Sequence, residues 1–194
     1  MSQTTPPAFL RVLILFALGA GLPNLLTLLG QRPLNIAFIC ALFWMVAAGR
    51  SVRRVPAPYA DALGKLLGGL IAVCACLGLS TAIPAIFESA TTNWTDTLGE
   101  PQLAWLVIGV VLAPIAEERF FRGALFAQLF RNRRPLVAIL GSALAFAVAH
   151  PVGVHMTIAL CVGITLGYLR HMSGDWRLCA AVHAAINATA WLLS

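Results

Sequence analysis

The chain has 194 residues, of which 60% are hydrophobic and only 10% charged, and its mean hydropathy is +0.87. This composition excludes a water-soluble globule, in which about a quarter of the residues are charged. Thirteen basic residues, twelve of them Arg, face seven acidic ones for a formal charge of +6, but the cations sit in clusters between long uncharged stretches, as in the cytoplasmic loops of membrane proteins, and no nucleic-acid partner is expected.

A helix needs about 20 apolar residues to cross a bilayer core of about 30 Å. In chain order, the segments that approach this length are Val12 to Leu29, Leu34 to Ala48, Leu66 to Phe87, Leu103 to Phe130, Leu136 to Ala149, Met156 to Leu169 and Leu178 to Leu193. The expected fold is therefore all-α: a polytopic membrane helix bundle of about seven transmembrane helices. It forms one integral-membrane domain over 1–194, with three amino-terminal helices and an outer loop in 1–100 and a motif-bearing core in 101–194. The first segment also has the look of a secretory signal, because Arg11 precedes an apolar run that ends in small residues. Apolar character resumes after Gly19, Gly21 and Pro23 as far as Leu29, which favours a retained anchor.

Alternating the segments across the membrane puts Arg50, Arg53 and Arg54, then Arg131, Arg133 and Arg134, then the Arg170 to Arg177 loop on one side. That side is expected to be cytoplasmic. The other receives Arg32 and the Glu88 to Gln102 loop, which carries three acidic residues and no Lys or Arg. The amino terminus is then inside and the carboxyl terminus outside. Cys40, Cys74, Cys76, Cys161 and Cys179 all lie in apolar runs, odd in number and without metal spacing, and read as packing residues.

The fourth segment is interrupted near its middle by Glu117, Glu118, Arg119 and Arg122. Charges inside a membrane segment are expensive and point to function. Successive helical residues are rotated by about 100°, so the two glutamates cannot face one point, whereas Glu118 and Arg122 share a face in the favourable order. Glu118 therefore reads as the ion-pair partner of Arg122, leaving Glu117 as the chemically available carboxylate. The fifth segment ends in Phe146 to His150 and the seventh contains His183 to Asn187, each spaced i, i+4, so that His183 and Asn187 stack on one helical face. Glu117 and His150 lie fourteen and fifteen residues from Arg131 and Pro135, both roughly 21 Å deep in upright helices, and so can meet. His183 and Asn187 come out shallower, at roughly 9 and 15 Å, and need a tilt or an inward-dipping loop to join them.

Glu117-Glu118-Arg119-Phe120-Phe121-Arg122 resembles an EExxxR motif, Phe146 to His150 an FxxxH motif and His183 to Asn187 an HxxxN motif, in the order found in the CPBP family. That family contains the type II CAAX prenyl endoproteases and the Abi proteins linked to bacteriocin immunity. The resemblance covers roughly Leu103 to Leu193 and implies an intramembrane endopeptidase. By it, Glu117 would activate a water, His150 would position that water or share its proton, and His183 with Asn187 would steady the tetrahedral oxyanion, with Glu118 and Arg122 supporting the site.

Three alternatives use the same residues. One Glu and two His can make a zinc site with an open water position, although no HExxH helix is present, so the expectation is no cofactor, with zinc as the competing reading. A small proton-coupled transporter would use Glu117, Glu118, His150 and His183 as a relay, but would leave Asn187 unexplained and lacks a paired half-repeat. An immunity protein with a degenerate site is weakened by the intact motifs. His155 and His171 read as solvated or headgroup-facing, and Trp44, Trp94, Trp105, Trp176 and Trp191 as interfacial anchors. Gly163 and Gly167 read as a small-residue packing pattern, and Ser142 as helix packing. The expected partners are the lipid bilayer and a membrane-associated protein or peptide substrate. The Arg-, Ala- and Leu-rich composition points to a bacterial cytoplasmic membrane.

Overall fold

A computed structural model of the chain describes residues 6–49, 55–58, 102–130, 134–150 and 154–192, with single positions between 61 and 78. The helices in it are α1 (Pro6–Leu28), α2 (Pro33–Ala48), α3 (102–129), α4 (Pro135–Val148), α5 (Val154–Ser173) and α6 (Trp176–Leu192). The described positions between Gly64 and Gly78 are also helical, and no strand occurs among the described residues. The rest of the Leu66 to Phe87 segment, and the acidic loop up to Gln102, which opens α3, lie outside the described residues, as do Arg50, Arg53, Arg54, Arg131 and Arg133.

Local chemistry sets the ends of these helices. Pro33 and Pro135 open α2 and α4, where a missing N–H costs nothing. Gly30, at φ 70°, closes α1: its N–H bonds the Thr27 carbonyl while Gln31 N–H bonds that of Leu26, a Schellman arrangement. Gly174, at φ 67°, closes α5 through a bond to the Arg170 carbonyl. A Cβ on Gly174 would lie 2.7 Å from the Val55 carbonyl oxygen, so the turn into α6 is tucked beneath residues 55–57.

The central helix is α3, which packs against α2, α4 and α6. It is not regular: π-helical stretches at Leu106–Leu112 and Arg119–Leu125 flank an α-helical stretch at Ala113–Glu118. Every residue from Phe120 to Gln128 is buried, as in a helix enclosed on all sides. Next to it, α4 and α5 run along each other. A Cβ on Gly163 would meet Ala143 Cα at 3.0 Å and one on Gly167 would meet Ile139 Cα at 3.3 Å, so the two small residues let the helix backbones touch.

The polarity of the bundle is inverted. Leu10, Ile14, Leu18, Leu25, Val46, Leu136, Leu140 and Leu144 are exposed, whereas Glu118, Arg122 and Arg170 are completely buried. Within α1, Phe9–Leu28 is the one span among the described residues that is both long and apolar enough to cross a membrane; α2 and α4 are shorter apolar helices of 16 and 14 residues.

Some sequence expectations need correction here. Trp44 is no interfacial anchor: it is buried, with its ring 4.6 Å from that of Phe120 and 4.9 Å from that of Phe121. Arg170 is not a loop cation but the last turn of α5, buried because its guanidinium has a carbonyl to bond inside the bundle. His171 is half-buried and its ring lies 5.7 Å from that of Phe130. Cys40 and Cys179 are buried, in keeping with packing roles, whereas Cys74 is exposed.

Candidate functional site

The site begins on the α-helical stretch of α3, between its two π turns. Glu118 points into the bundle, and its Oε1 accepts a 2.8 Å bond from Arg122 Nη1, with both side chains fully buried. The pairing expected from i, i+4 spacing is present. The same Oε1 lies 3.1 Å from His183 Nδ1. A carboxylate paired with a guanidinium can only accept, so His183 donates from Nδ1 and its Nε2 is the nitrogen left for other partners.

Arg122 is held on three sides. Its Nη2 donates to the Gly163 carbonyl at 3.0 Å, and its Cζ lies 4.5 Å from the centroid of the Phe146 ring. Phe146 is the hub of the site: its ring centroid is 4.5 Å from that of His150, 5.6 Å from that of His183 and 5.2 Å from that of Phe121. Phe146 thus packs against both imidazoles and lies under the Arg122 guanidinium, where a cation over the ring is attracted by its quadrupole.

His150, just past the end of α4, has its Nδ1 2.8 Å from the Phe146 carbonyl. A carbonyl accepts, so Nδ1 carries the proton and the neutral ring presents an Nε2 lone pair. Glu117 is half-buried and makes no hydrogen bond or ion pair among the described residues, and its charge acts on His150 and on Cys40. The two glutamates therefore sit in different surroundings: Glu118 Oε1 is bonded to both Arg122 and His183 while its buried Oε2 has no partner, and Glu117 makes no hydrogen bond or ion pair among the described residues.

Asn187, one turn beyond His183 on α6, donates from Nδ2 to the Gly109 carbonyl at 2.9 Å. An amide nitrogen carries two protons, so one remains for another acceptor. Although helix lengths placed His183 and Asn187 shallower than Glu117, the bundle brings His183 to within 3.1 Å of Glu118 and Asn187 to within 2.9 Å of the Gly109 carbonyl on α3.

The sequence reading missed Gly163, Gly109 and Arg170 as supports of the site. Arg170 Nε donates to the Arg122 carbonyl at 2.9 Å. One signal was available: Pro114 comes five residues after Gly109 and takes away a backbone donor there. No three His, Cys, Asp or Glu side chains come together to hold a metal ion among the described residues. A divalent cation at Glu118 would also have to displace the guanidinium 2.8 Å from Oε1.

Fold and site together define an all-helical protein that encloses a Glu-Arg-His cluster under an apolar exterior. Residues 99–189 match the family model described as type II CAAX prenyl endopeptidase Rce1-like, in line with the resemblance carried by the three motifs. Rce1-like proteins are membrane-embedded, and the match indicates a protease. No match was found among curated proteins or solved structures.

Proposed function

We propose that the chain is an integral-membrane endopeptidase that hydrolyses a peptide bond of a membrane-associated protein or peptide, using a water activated by Glu117 and no metal. One observation supports this reading: within a stretch that matches a protease family model, a buried Glu118–Arg122–His183 cluster adjoins Glu117, which makes no hydrogen bond or ion pair among the described residues.

Glu117 takes a proton from water while the water oxygen attacks the scissile carbonyl carbon, whose π electrons pass to the carbonyl oxygen. His150 Nε2 orients the water. The oxyanion is steadied by the free N–H of Asn187 and by His183 Nε2 in its protonated form. Collapse of the intermediate breaks the C–N bond, and the leaving amine takes the proton back from Glu117, directly or by way of His150. Glu118 and Arg122 hold His183 in place and touch no reacting atom.

In this reading the chain is one integral-membrane unit, with three amino-terminal helices and an outer loop in 1–100 and the catalytic core in 101–194. It crosses the bacterial cytoplasmic membrane seven times, amino terminus inside and carboxyl terminus outside. The exposed leucines of α1 and α4 support a lipid surround. The arginine clusters at 50–54 and 131–134 support the orientation, and Arg170, being buried, drops out of that argument.

The substrate class is tested by comparing the membrane proteomes of cells carrying the parent and Glu117→Gln. The reading expects one polypeptide whose terminus differs between them. Exhaustive chelation should leave cleavage intact; loss of activity restored by zinc alone would make Glu117, His150 and His183 ligands instead. Unchanged proteomes together with a proton flux abolished by Glu117→Gln would replace the protease with a transporter.

A further inference from the structure

The two π stretches of α3 end in the same way. Ala113 N–H reaches back five residues to the Ile108 carbonyl, and Phe126 N–H reaches back five to that of Phe121. In each case the donor passes over the next carbonyl, Gly109 in the first and Arg122 in the second. A carbonyl withdrawn from water without a donor is costly, and with that of Gly109 part-buried and that of Arg122 buried, each favours a partner. At Gly109 no backbone group can supply one, because the other donor within helical reach is residue 114, and Pro114 has no N–H.

Both carbonyls are instead filled by side chains from other helices. Asn187 Nδ2 of α6 donates to Gly109 and Arg170 Nε of α5 to Arg122, each at 2.9 Å. Arg170 is completely buried at the end of α5, and its guanidinium lies 5.8 Å from the ring centroid of Phe126, the residue whose N–H made the five-residue reach. Between the two filled carbonyls lies Ala113–Glu118, the stretch that carries both glutamates.

We infer that Arg170 and Asn187 are positioning residues that lock the two π turns of α3 by capping the carbonyls these turns release, and so fix the direction in which Glu117 and Glu118 face. Each π turn takes up one extra residue, which rotates the next stretch of helix by about 100° relative to a continuous α-helix. Losing a cap favours reversion of its turn and swings the glutamates relative to the helices on either side. For Asn187 this is a second duty beside the proposed oxyanion contact. The catalytic half of the inference rests on the proteolytic reading, while the structural half does not.

Thermal unfolding in detergent tests the structural half. Asn187→Leu should lower the midpoint by about 5 °C. In a Pro114→Ala background, where residue 114 regains an N–H for Gly109, the same change should cost less than half as much; an equal loss in both backgrounds overturns the assignment. Asn187→Ser, a gentler change, carries the same comparison if the Leu variant does not fold. Cleavage is read on Arg170, which touches no reacting atom. Arg170→Met should lower kcat by about tenfold or more with little change in KM, since small misplacements of catalytic groups are that costly. Arg170→Gln, which keeps an N–H at similar reach, should recover most of the rate, and a loss equal to that of Arg170→Met overturns the positioning role. If the parent itself cleaves nothing, the proteolytic reading fails, and the unfolding comparison still decides the inference.

Discussion

Helices α1 and α3 are opposites. α1 has no charged residue after Arg11 and turns Leu13, Ile14, Leu18 and Leu25 outward; α3 carries four charged residues within Glu117–Arg122 and encloses Glu118 and Arg122 completely. In water this arrangement would be upside down, with apolar surface left wet and charges stripped of hydration. In lipid it is the expected division: the outer helix meets a solvent as apolar as itself, and the inner helix keeps its polar groups where protein can satisfy them. The difference shows that polarity in this bundle is concentrated on the inside, in one cluster, and that each buried charge there has a named partner.

The comparison is broken most directly at the buried pair. Removing one partner strands a charge, so Glu118→Gln or Arg122→Met should each cost roughly 3 to 5 kcal/mol of stability. The double variant should cost clearly less than the two single losses combined. Thermal or denaturant unfolding in detergent measures this, and strict additivity would show that the two side chains do not interact and would return Glu118 to the candidates for the base.

A smaller loss, about 1 to 3 kcal/mol, is expected for Gly163→Ala, because the new methyl meets Ala143 backbone at 3.0 Å and shifts the carbonyl that holds Arg122. An unchanged unfolding midpoint would mean that α4 and α5 can part without consequence. The smallest effect belongs to α1. Leu18→Ala on its outward face should move detergent stability by less than about 0.5 kcal/mol. A loss comparable to that of the core variants would show that Leu18 packs against protein.

Much of this was legible in the sequence, for identifiable reasons. Apolar runs marked α4 and α6 to within two residues, because proline and polar turns bound them. The Glu118–Arg122 pair could be read from i, i+4 spacing alone. What spacing cannot show is contact between helices. The bond from His183 to Glu118 joins residues 65 apart, and Phe146 gathers His150, His183 and Arg122 from three elements. The π turns were invisible because helical pattern reading assumes a constant 100° per residue, and nothing local in Leu106–Leu112 or Arg119–Leu125 contradicts it. Arg170 was misread for a related reason: an Arg near a predicted loop looks solvated unless the carbonyl that draws it inward is known.

The central claim is that two adjacent glutamates divide the work, Glu117 acting on water and Glu118 holding His183 and Arg122. It is tested most directly by measuring cleavage and thermal stability together for Glu117→Gln and Glu118→Gln in the same detergent or lipid preparation. The account predicts that Glu117→Gln keeps its unfolding midpoint and loses cleavage by about 10²-fold to 10⁴-fold or more, while Glu118→Gln loses stability first. A Glu117→Gln protein that still cleaves at the parental rate would contradict it.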